Sequence, residues 1–295
     1  MRARDDIDDA WPPRAGRQTG ASDEQQPRPL PWSRRIGVHW VLAALVVAGL
    51  LCLMVFHPAS PSRWRRTECA DHLRQIALAL HEYHQVYGSL PPAHVDGPDG
   101  KPMHSWRVLL LPFLHYDKLY RQYNFKEPWN GPHNARLANR IPHEYRCPAA
   151  REEKLPSVTN YVAVVGPATA WPGSKGVRFQ DIKDGTSDTI LLVEIADSTI
   201  NWMEPRDMRF DRAVIGVNVD HRHGISSHHR GGANVSLADS SGRFLPDSVS
   251  PAALRTLLTL ADGQTIDEDE DGRLFVRPGP EPRLPAPDAQ DDNRE

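Results

Sequence analysis

The sequence predicts an α+β protein: an N-terminal transmembrane helix, then a head in which a long amphipathic helix packs on an antiparallel β-sheet. Three observations carry this prediction. Residues 36–56 form an uncharged apolar run, residues 67–87 repeat apolar positions at helical spacing, and strand-like segments begin only near residue 160. Helices that precede the strands, rather than alternate with them, favour the α+β class over the α/β class.

Length, charge and composition indicate how the chain is divided into domains and which class of partner is excluded. The chain has 295 residues and a formal net charge of −3, so it lacks the basic character of nucleic-acid-binding proteins. Residues 1–33 mix charged residues, Gln and Pro without apolar periodicity, which predicts a disordered cytoplasmic tail. Residues 262–295 are acidic and rich in proline, which predicts a second disordered tail. Residues 67–261 remain as one head domain of ordinary size.

The apolar run at residues 36–56 has the length of a membrane span. A helix needs about 20 apolar residues to cross a bilayer core, and Trp40 and Trp64 fit the aromatic belts at its two faces. A cleaved secretory signal is the competing interpretation, because small residues follow Phe56. Arginines flank the run on both sides, so the positive-inside rule does not fix the orientation. The short tail favours a single-pass protein of the cytoplasmic (inner) membrane, with a cytoplasmic N-terminus and an extracytoplasmic head.

Two helices are predicted in the first half of the head. A linker at residues 57–66 leads to a helix at residues 67–87, which Thr67 caps and Gly88 ends. A second helix is predicted from Trp106 to about Tyr123, because its apolar residues recur at spacings of three and four.

The second half of the head carries the strands. Residues 160–165 and 189–195 have strand composition, residues 234–237 and 243–245 form a predicted hairpin, and a last helix is predicted at 252–260. The turn Asp184-Gly185-Thr186-Ser187 precedes the second strand. An anion-binding nest is one interpretation of this turn; a plain turn in which Asp184 accepts backbone N–H groups is the other. Glu194, in the second strand, is expected to face solvent or a partner.

Three cysteines are present. Cys52 falls within the apolar run and is expected to be an inert thiol. Cys69 and Cys147 lie in the head, where an extracytoplasmic location predicts a disulfide between them. Two free buried thiols in a cytosolic domain are the alternative.

Six blocks of the chain resemble a known family. They occur in one order over about residues 67–260: CADHLRQIALALHEYHQVYGSLPPAH, HSWRVLLLPFLHYDKLY, EYRCPAA, TNYVAVVG, IKDGTSDTILLVEI and SHHRGGANVSLADSSGRFLPDS. Together they resemble the planctomycete type of the pilin-like domain-of-unknown-function family fifteen-fifty-nine. The resemblance implies a type IV pilin or pseudopilin-like protein, a non-catalytic structural or interaction subunit whose partners are the lipid bilayer and other pilin-like subunits or surface polymers.

The resemblance also implies which positions belong to the family's motifs. Many members carry a C-terminal motif of His, nine residues, then Asp-Gly; here His229 and Asp239 match, but Ser240 replaces the Gly. Pro58 and Pro61 interrupt a helix that is continuous in pilins, and a cut before Val38 would place Leu42 where pilins have Glu. The matching positions are His229, Gly231, Gly232, Asn234, Asp239, Asp184, Gly185, Thr186 and Ser187.

No catalytic residue, metal or cofactor is predicted. The histidines His221, His223, His228 and His229 are weak candidates for a metal site, with a polar loop as the competing interpretation. Residues 267–272 match the start of a calcium loop, but Pro278 stands where the bidentate Glu should be, so a solvated acidic turn is expected. The absence of a Gly-x-Ser-x-Gly elbow argues against a serine hydrolase.

An alternative function is an extracytoplasmic binding module for a polysaccharide or exported polymer. That function predicts a cleft lined by exposed aromatic side chains from among the tryptophans of the head, which are Trp106, Trp129, Trp171 and Trp202.

Overall fold

The computed structural model describes residues 40–49, 61–150, 156–269 and 273–277. The chain divides into two compact units, Met1–His57 and Pro58–Glu295. In the first unit residues 40–49 form helix α1. Within the described residues, no helix has both the length and the apolar composition required to cross a membrane. The predicted tail at residues 1–33, most of the predicted span, Cys52 and residues 278–295 lie outside the described residues.

The long helix of the head, α2 (Pro61–Tyr87), begins earlier than predicted. Thr67 was expected to cap its start, but Thr67 lies inside the helix, where its hydroxyl donates to the carbonyl of Arg63 at 3.2 Å. Pro61 occupies the first turn, where a missing N–H costs nothing. The predicted end is confirmed, since Gly88 has a φ of 78° and donates its N–H to the His84 carbonyl at 2.8 Å.

The region after α2 contains short elements instead of the single helix predicted from Trp106 to Tyr123. It consists of α3 (Trp106–Leu109), a 3-10 helix (Leu111–Leu114) and α4 (Asp117–Gln122). Pro112 removes a helical donor and His115 adopts a left-handed φ of 64°, so the helix cannot continue. Further 3-10 helices span Asn134–Leu137 and His143–Tyr145.

The strands of the head are β1 (His94–Asp96), β2 (Pro102–Ser105), β3 (Tyr161–Val165), β4 (Ile190–Glu194), β5 (Met208–Arg209), β6 (Val214–Val217), β7 (Gly224–Ile225), β8 (Gly232–Leu237), β9 (Gly242–Pro246), β10 (Thr265–Glu268) and β11 (Leu274–Arg277). The main sheet has the order β5-β3-β4-β8-β9. Three of its pairs are antiparallel, but β3 and β5 are parallel. The sheet is therefore mixed, which corrects the prediction of an antiparallel sheet.

Both faces of the main sheet are covered. On one face, Leu73 and Ile76 of α2 join Leu191 and a group of tryptophans in a buried core. On the other face, helix α5 (Pro251–Leu258), which the Ser250 hydroxyl caps at the Ala253 N–H, packs on a second core. Every residue of β4 is buried for this reason. Glu194, expected to face solvent or a partner, is thus buried instead.

The segment after α5 is not a fully disordered tail. Strands β10 and β11 pair antiparallel as a hairpin, and Leu274 is 7% exposed within the second core. Ile266 and Val276 pack against the same core. The acidic composition of this segment predicted a solvated tail, but a few of its apolar residues pack in or against the second core.

Candidate functional site

A buried cluster of four side chains joins helix α2 to the main sheet. It begins with Cys69, which lies on the inner face of α2, and Cys147, which follows the 3-10 helix His143–Tyr145. Their Cα atoms are 5.4 Å apart, across 78 residues of sequence, and the sulfurs are at disulfide distance. This distance confirms the prediction that Cys69 and Cys147 form a pair.

Glu194 and His229 complete the cluster. Glu194 ends β4 and its Oε1 lies 3.7 Å from Cys69 Sγ. His229 lies just before β8, and its Nε2 is 3.6 Å from Cys147 Sγ and 3.5 Å from Glu194 Oε1. Both side chains are almost fully buried, at 1% and 3% exposure.

The surrounding contacts fix the orientation of these groups. The backbone N–H of Asn234 donates to Glu194 Oε2 over 3.4 Å, and the Ser227 hydroxyl accepts the backbone N–H of His229 at 2.9 Å. The Tyr161 hydroxyl donates to the Cys69 carbonyl at 3.4 Å. Burial, followed by the nearby charge of Glu194, raises the pKa of Tyr161 well above its usual value. The phenol therefore stays neutral beside the carboxylate.

The chemistry of this cluster depends on its sulfurs. One ligand atom from each of Cys69, Cys147, Glu194 and His229 lies within 4.8 Å of all the others. Within the described part of the chain, this is the group of His, Cys, Asp and Glu side chains that could hold a metal ion. A disulfide offers no thiolate, so only the reduced cysteines could act as ligands.

The four histidines singled out from the sequence do not converge. His229 points into the buried cluster, whereas His221, His223 and His228 are exposed. The Nδ1 of His223 lies 3.2 Å from an Asp220 oxygen, and the Nε2 of His228 lies 3.8 Å from an Asp197 oxygen. The sequence spacing thus identified one member of the cluster and missed the other three as its partners.

The two motif turns of the chain lie side by side. The N–H of Asp239, in the β8–β9 turn, donates to the Thr186 carbonyl at 3.0 Å, and the N–H of Ala238 donates to the Thr189 carbonyl at 2.8 Å. The Asp184 carboxylate accepts backbone N–H groups, as predicted, but from Asp262 and Gly263 at 2.8 and 3.0 Å. The turn is therefore used for contacts between backbone segments.

Three small residues of the C-terminal motif have backbone roles. Gly231 has a φ of 84° and Ser240 a φ of 69°, a conformation that glycine adopts most easily. A Cβ on Gly232 would lie 2.1 Å from the Leu245 carbonyl oxygen, so only glycine fits beside β9.

Residues 64–252, well over half of the chain, match the family described as Protein of unknown function (DUF1559). The chain belongs to the DUF1559 family. No curated protein matches the chain, and no solved structure matches it either.

In this DUF1559 protein the tryptophans of the head do not form an exposed cleft. Trp106, Trp171 and Trp202 are at most 1% exposed, and Trp129 packs partly buried against the same core. The candidate calcium loop is divided: Asp267 lies in β10 and forms an ion pair with Arg277 at 2.5 Å, while residues 270–272 lie outside the described residues.

The DUF1559 head also has a cleft that the sequence did not predict. Its volume is about 320 Å³. Ser198 and Thr199 line it together with four arginines, which are Arg206, Arg209, Arg212 and Arg222. These arginines are scattered over seventeen positions of sequence, so no local pattern marked them.

Proposed function

We propose that this DUF1559 protein is a non-catalytic, pilin-like structural or interaction subunit, anchored by a single helix in the cytoplasmic membrane with an extracytoplasmic head. One observation carries the proposal. Helix α2 lies along the main sheet, and Cys69 of α2 is at disulfide distance from Cys147 in the rest of the head. A long helix fixed to a sheet suits a head domain that contacts other subunits through its helix. Disulfides persist mainly in oxidising compartments.

Two further observations support the absence of catalysis and the kind of partner. Glu194 and His229 are too deeply buried to meet a substrate. Helix α2 exposes apolar side chains at Leu78, Val86 and Tyr87, which would suit contact with other pilin-like subunits. The bilayer is the second proposed partner, through residues 36–56.

Topology is tested by labelling engineered cysteines in intact cells. In a Cys52→Ser background, Ser22→Cys marks the N-terminal tail and Ser187→Cys marks the head. A membrane-impermeant maleimide should label the head cysteine in spheroplasts, and the tail cysteine only after lysis. The intact mass of the protein recovered from membranes should include the apolar run. Labelling of the tail alone would contradict the proposed orientation, and loss of residues 36–56 would contradict the anchor.

The partner is tested by photocrosslinking from α2. A photoreactive residue at Val86 should yield adducts with a second copy of the chain or with another subunit, whereas one at the exposed Lys126 should yield none. Equal adducts from both positions would indicate random collision and count against the proposal.

A second candidate function is recognition of an anionic polysaccharide or exported polymer. The arginine-lined cleft supports it, whereas an aromatic platform does not, because the large tryptophans of the head are buried. Arg206 and Arg209 are held by Glu204 and Asp211. Arg212 and Arg222 are exposed, and no ion pair joins either of them to another described residue. Guanidinium groups bind carboxylates and sulfates in two-point contacts.

Binding is tested with polygalacturonate, and with neutral dextran as the matched polymer. The head should retain polygalacturonate at low salt and release it as salt rises, because exposed charge pairs are screened. The double variant Arg212→Ala/Arg222→Ala should lose this binding, while Arg178→Ala, at a residue that does not line the cleft, should keep it. Equal binding of dextran would exclude charge recognition.

A further inference from the structure

We propose that the reduced head binds one zinc ion through Cys69, Cys147, Glu194 and His229, so that zinc and the disulfide are alternative cross-links at the same place. The donor types are those of tetrahedral zinc sites, with two thiolates, one imidazole and one carboxylate. The four side chains come from α2, the loop after the His143–Tyr145 helix, β4 and the segment before β8.

The spacing of the donors fits a zinc tetrahedron. Zinc–ligand bonds of about 2.0–2.3 Å place neighbouring donors about 3.3–3.8 Å apart. The distances across the cluster are 3.7 Å from Cys69 Sγ to Glu194 Oε1, 3.6 Å from Cys147 Sγ to His229 Nε2 and 3.5 Å between His229 and Glu194. All four donor atoms lie within 4.8 Å of one another, and reduction of the sulfur–sulfur bond allows the two sulfurs to separate.

The disulfide leaves the buried carboxylate poorly satisfied. A disulfide sulfur carries no proton, so Cys69 cannot donate to Glu194 in the oxidised form. Among the described residues, Glu194 then keeps two long contacts, with the Asn234 N–H at 3.4 Å and with the His229 ring nitrogen at 3.5 Å. A buried charge without close donors is costly, and a cation placed between the sulfurs, the imidazole and the carboxylate would satisfy all four groups.

The exchange of the disulfide for zinc requires an external dithiol as the reductant. Two electrons and two protons pass from the dithiol to the Cys69–Cys147 bond, which breaks to give two thiols, while the dithiol closes to its own disulfide. Zinc then displaces the two thiol protons to water and binds the thiolates, the Glu194 carboxylate and the neutral His229 ring. Oxidation of the thiolates by a disulfide-forming partner releases the ion.

Zinc would therefore hold α2 to the sheet whenever the cysteines are reduced, and the disulfide would hold it in an oxidising compartment. This inference does not depend on the membrane anchor or on the pilin-like role. It explains why a carboxylate and an imidazole are buried beside a cysteine pair whose pairing alone requires neither.

The test uses the full-length, untagged chain in detergent, with Co²⁺ and Zn²⁺ as probes. After reduction by a phosphine, the wild-type chain should bind one Zn²⁺, and Co²⁺ should give the thiolate charge-transfer and tetrahedral visible bands. The oxidised chain should bind neither ion. Absence of thiolate bands in the reduced chain, or equal uptake by the oxidised chain, would overturn the proposal without any substitution.

Substitutions then assign the other two donors. Glu194→Gln and His229→Ala should each weaken Co²⁺ binding by about tenfold or more, and circular dichroism should show that each variant stays folded. The exposed His223→Ala is the matched control and should bind as the wild type does. Equal losses in His223→Ala and His229→Ala would show that the ion binds the exposed histidine loop and would overturn the assignment.

Discussion

The guanidinium of Arg107 donates to the carboxylate of Asp207 at 2.5 Å, across 100 residues of sequence. The two side chains are 0% and 2% exposed. Burial raises the pKa of Asp207, and the charge of Arg107 opposes that rise. Asp207 also accepts the Ala163 N–H at 2.8 Å, and Arg107 donates to the Tyr161 carbonyl at 3.0 Å. These contacts hold β5, which follows Asp207, beside β3 in parallel.

Removal of one partner of this pair should strongly destabilise the head. Asp207→Ala leaves a buried guanidinium without its carboxylate, and such losses cost about 3–5 kcal/mol of unfolding free energy. Urea unfolding followed by tryptophan fluorescence measures the change. Asp211→Ala is the control, because its pair with Arg209 is exposed and should contribute less than about 1 kcal/mol. Equal effects of the two substitutions would refute a special role for the buried pair.

Local signals in the sequence predicted much of the fold. The strands β3 and β4, the β8–β9 hairpin and α5 all lie within a few residues of their predicted places, because strand composition, turn residues and a Ser-Pro start are encoded locally. The end of α2 was predicted for the same reason, since Gly88 follows the last apolar position.

Long-range relationships could not be predicted from the same signals. Cys69 and Glu194 are 125 residues apart, and nothing in their neighbourhoods indicates that they meet. Glu194 is the one charged residue in the segment TILLVEI, which marks it as unusual, but its burial depends on α2 and α5 covering both faces of the sheet. The parallel position of β5 depends likewise on a buried ion pair.

Loss of the cysteine pair should destabilise the head in zinc-free buffer. Cys69→Ala/Cys147→Ala removes a cross-link over 78 residues, and closing a loop of this size contributes about 2–5 kcal/mol. A phosphine reductant should lower the unfolding midpoint of the wild-type chain and leave that of the double variant unchanged. A reductant effect of the same size on both proteins would show that the cysteines are not bonded.

Acid should weaken the head through His104. The ring is 3% exposed, and its two nitrogens meet the Tyr123 hydroxyl at 2.9 Å and the Phe125 carbonyl at 3.2 Å. Burial lowers the pKa of His104, against a smaller opposing effect of the Phe125 hydrogen bond. The unfolded chain therefore binds the proton first, and stability should fall as pH drops below about 6.5, by at most about 1.4 kcal/mol per pH unit.

The check on His104 is an unfolding series in urea between pH 7.5 and 5, a window above the usual carboxyl pKa values. His104→Gln should flatten the decline in stability, because the glutamine amide does not titrate. His221→Gln, at an exposed position, should leave the profile of the wild-type chain intact. A profile that His104→Gln does not alter would assign the acid sensitivity to another group.

Ser240→Gly should stabilise the β8–β9 turn. Ser240 has a φ of 69°, which is costly for a residue with a Cβ, and the family motif has glycine at this position. Glycine relieves that strain, so the unfolding free energy should rise by about 0.5–1 kcal/mol in denaturant titrations. The neighbouring Ser241 lies outside the positive-φ region, so Ser241→Gly gains nothing and loses backbone entropy on folding. Opposite signs for these adjacent substitutions are expected; destabilisation by both would show that the Ser240 conformation carries no strain.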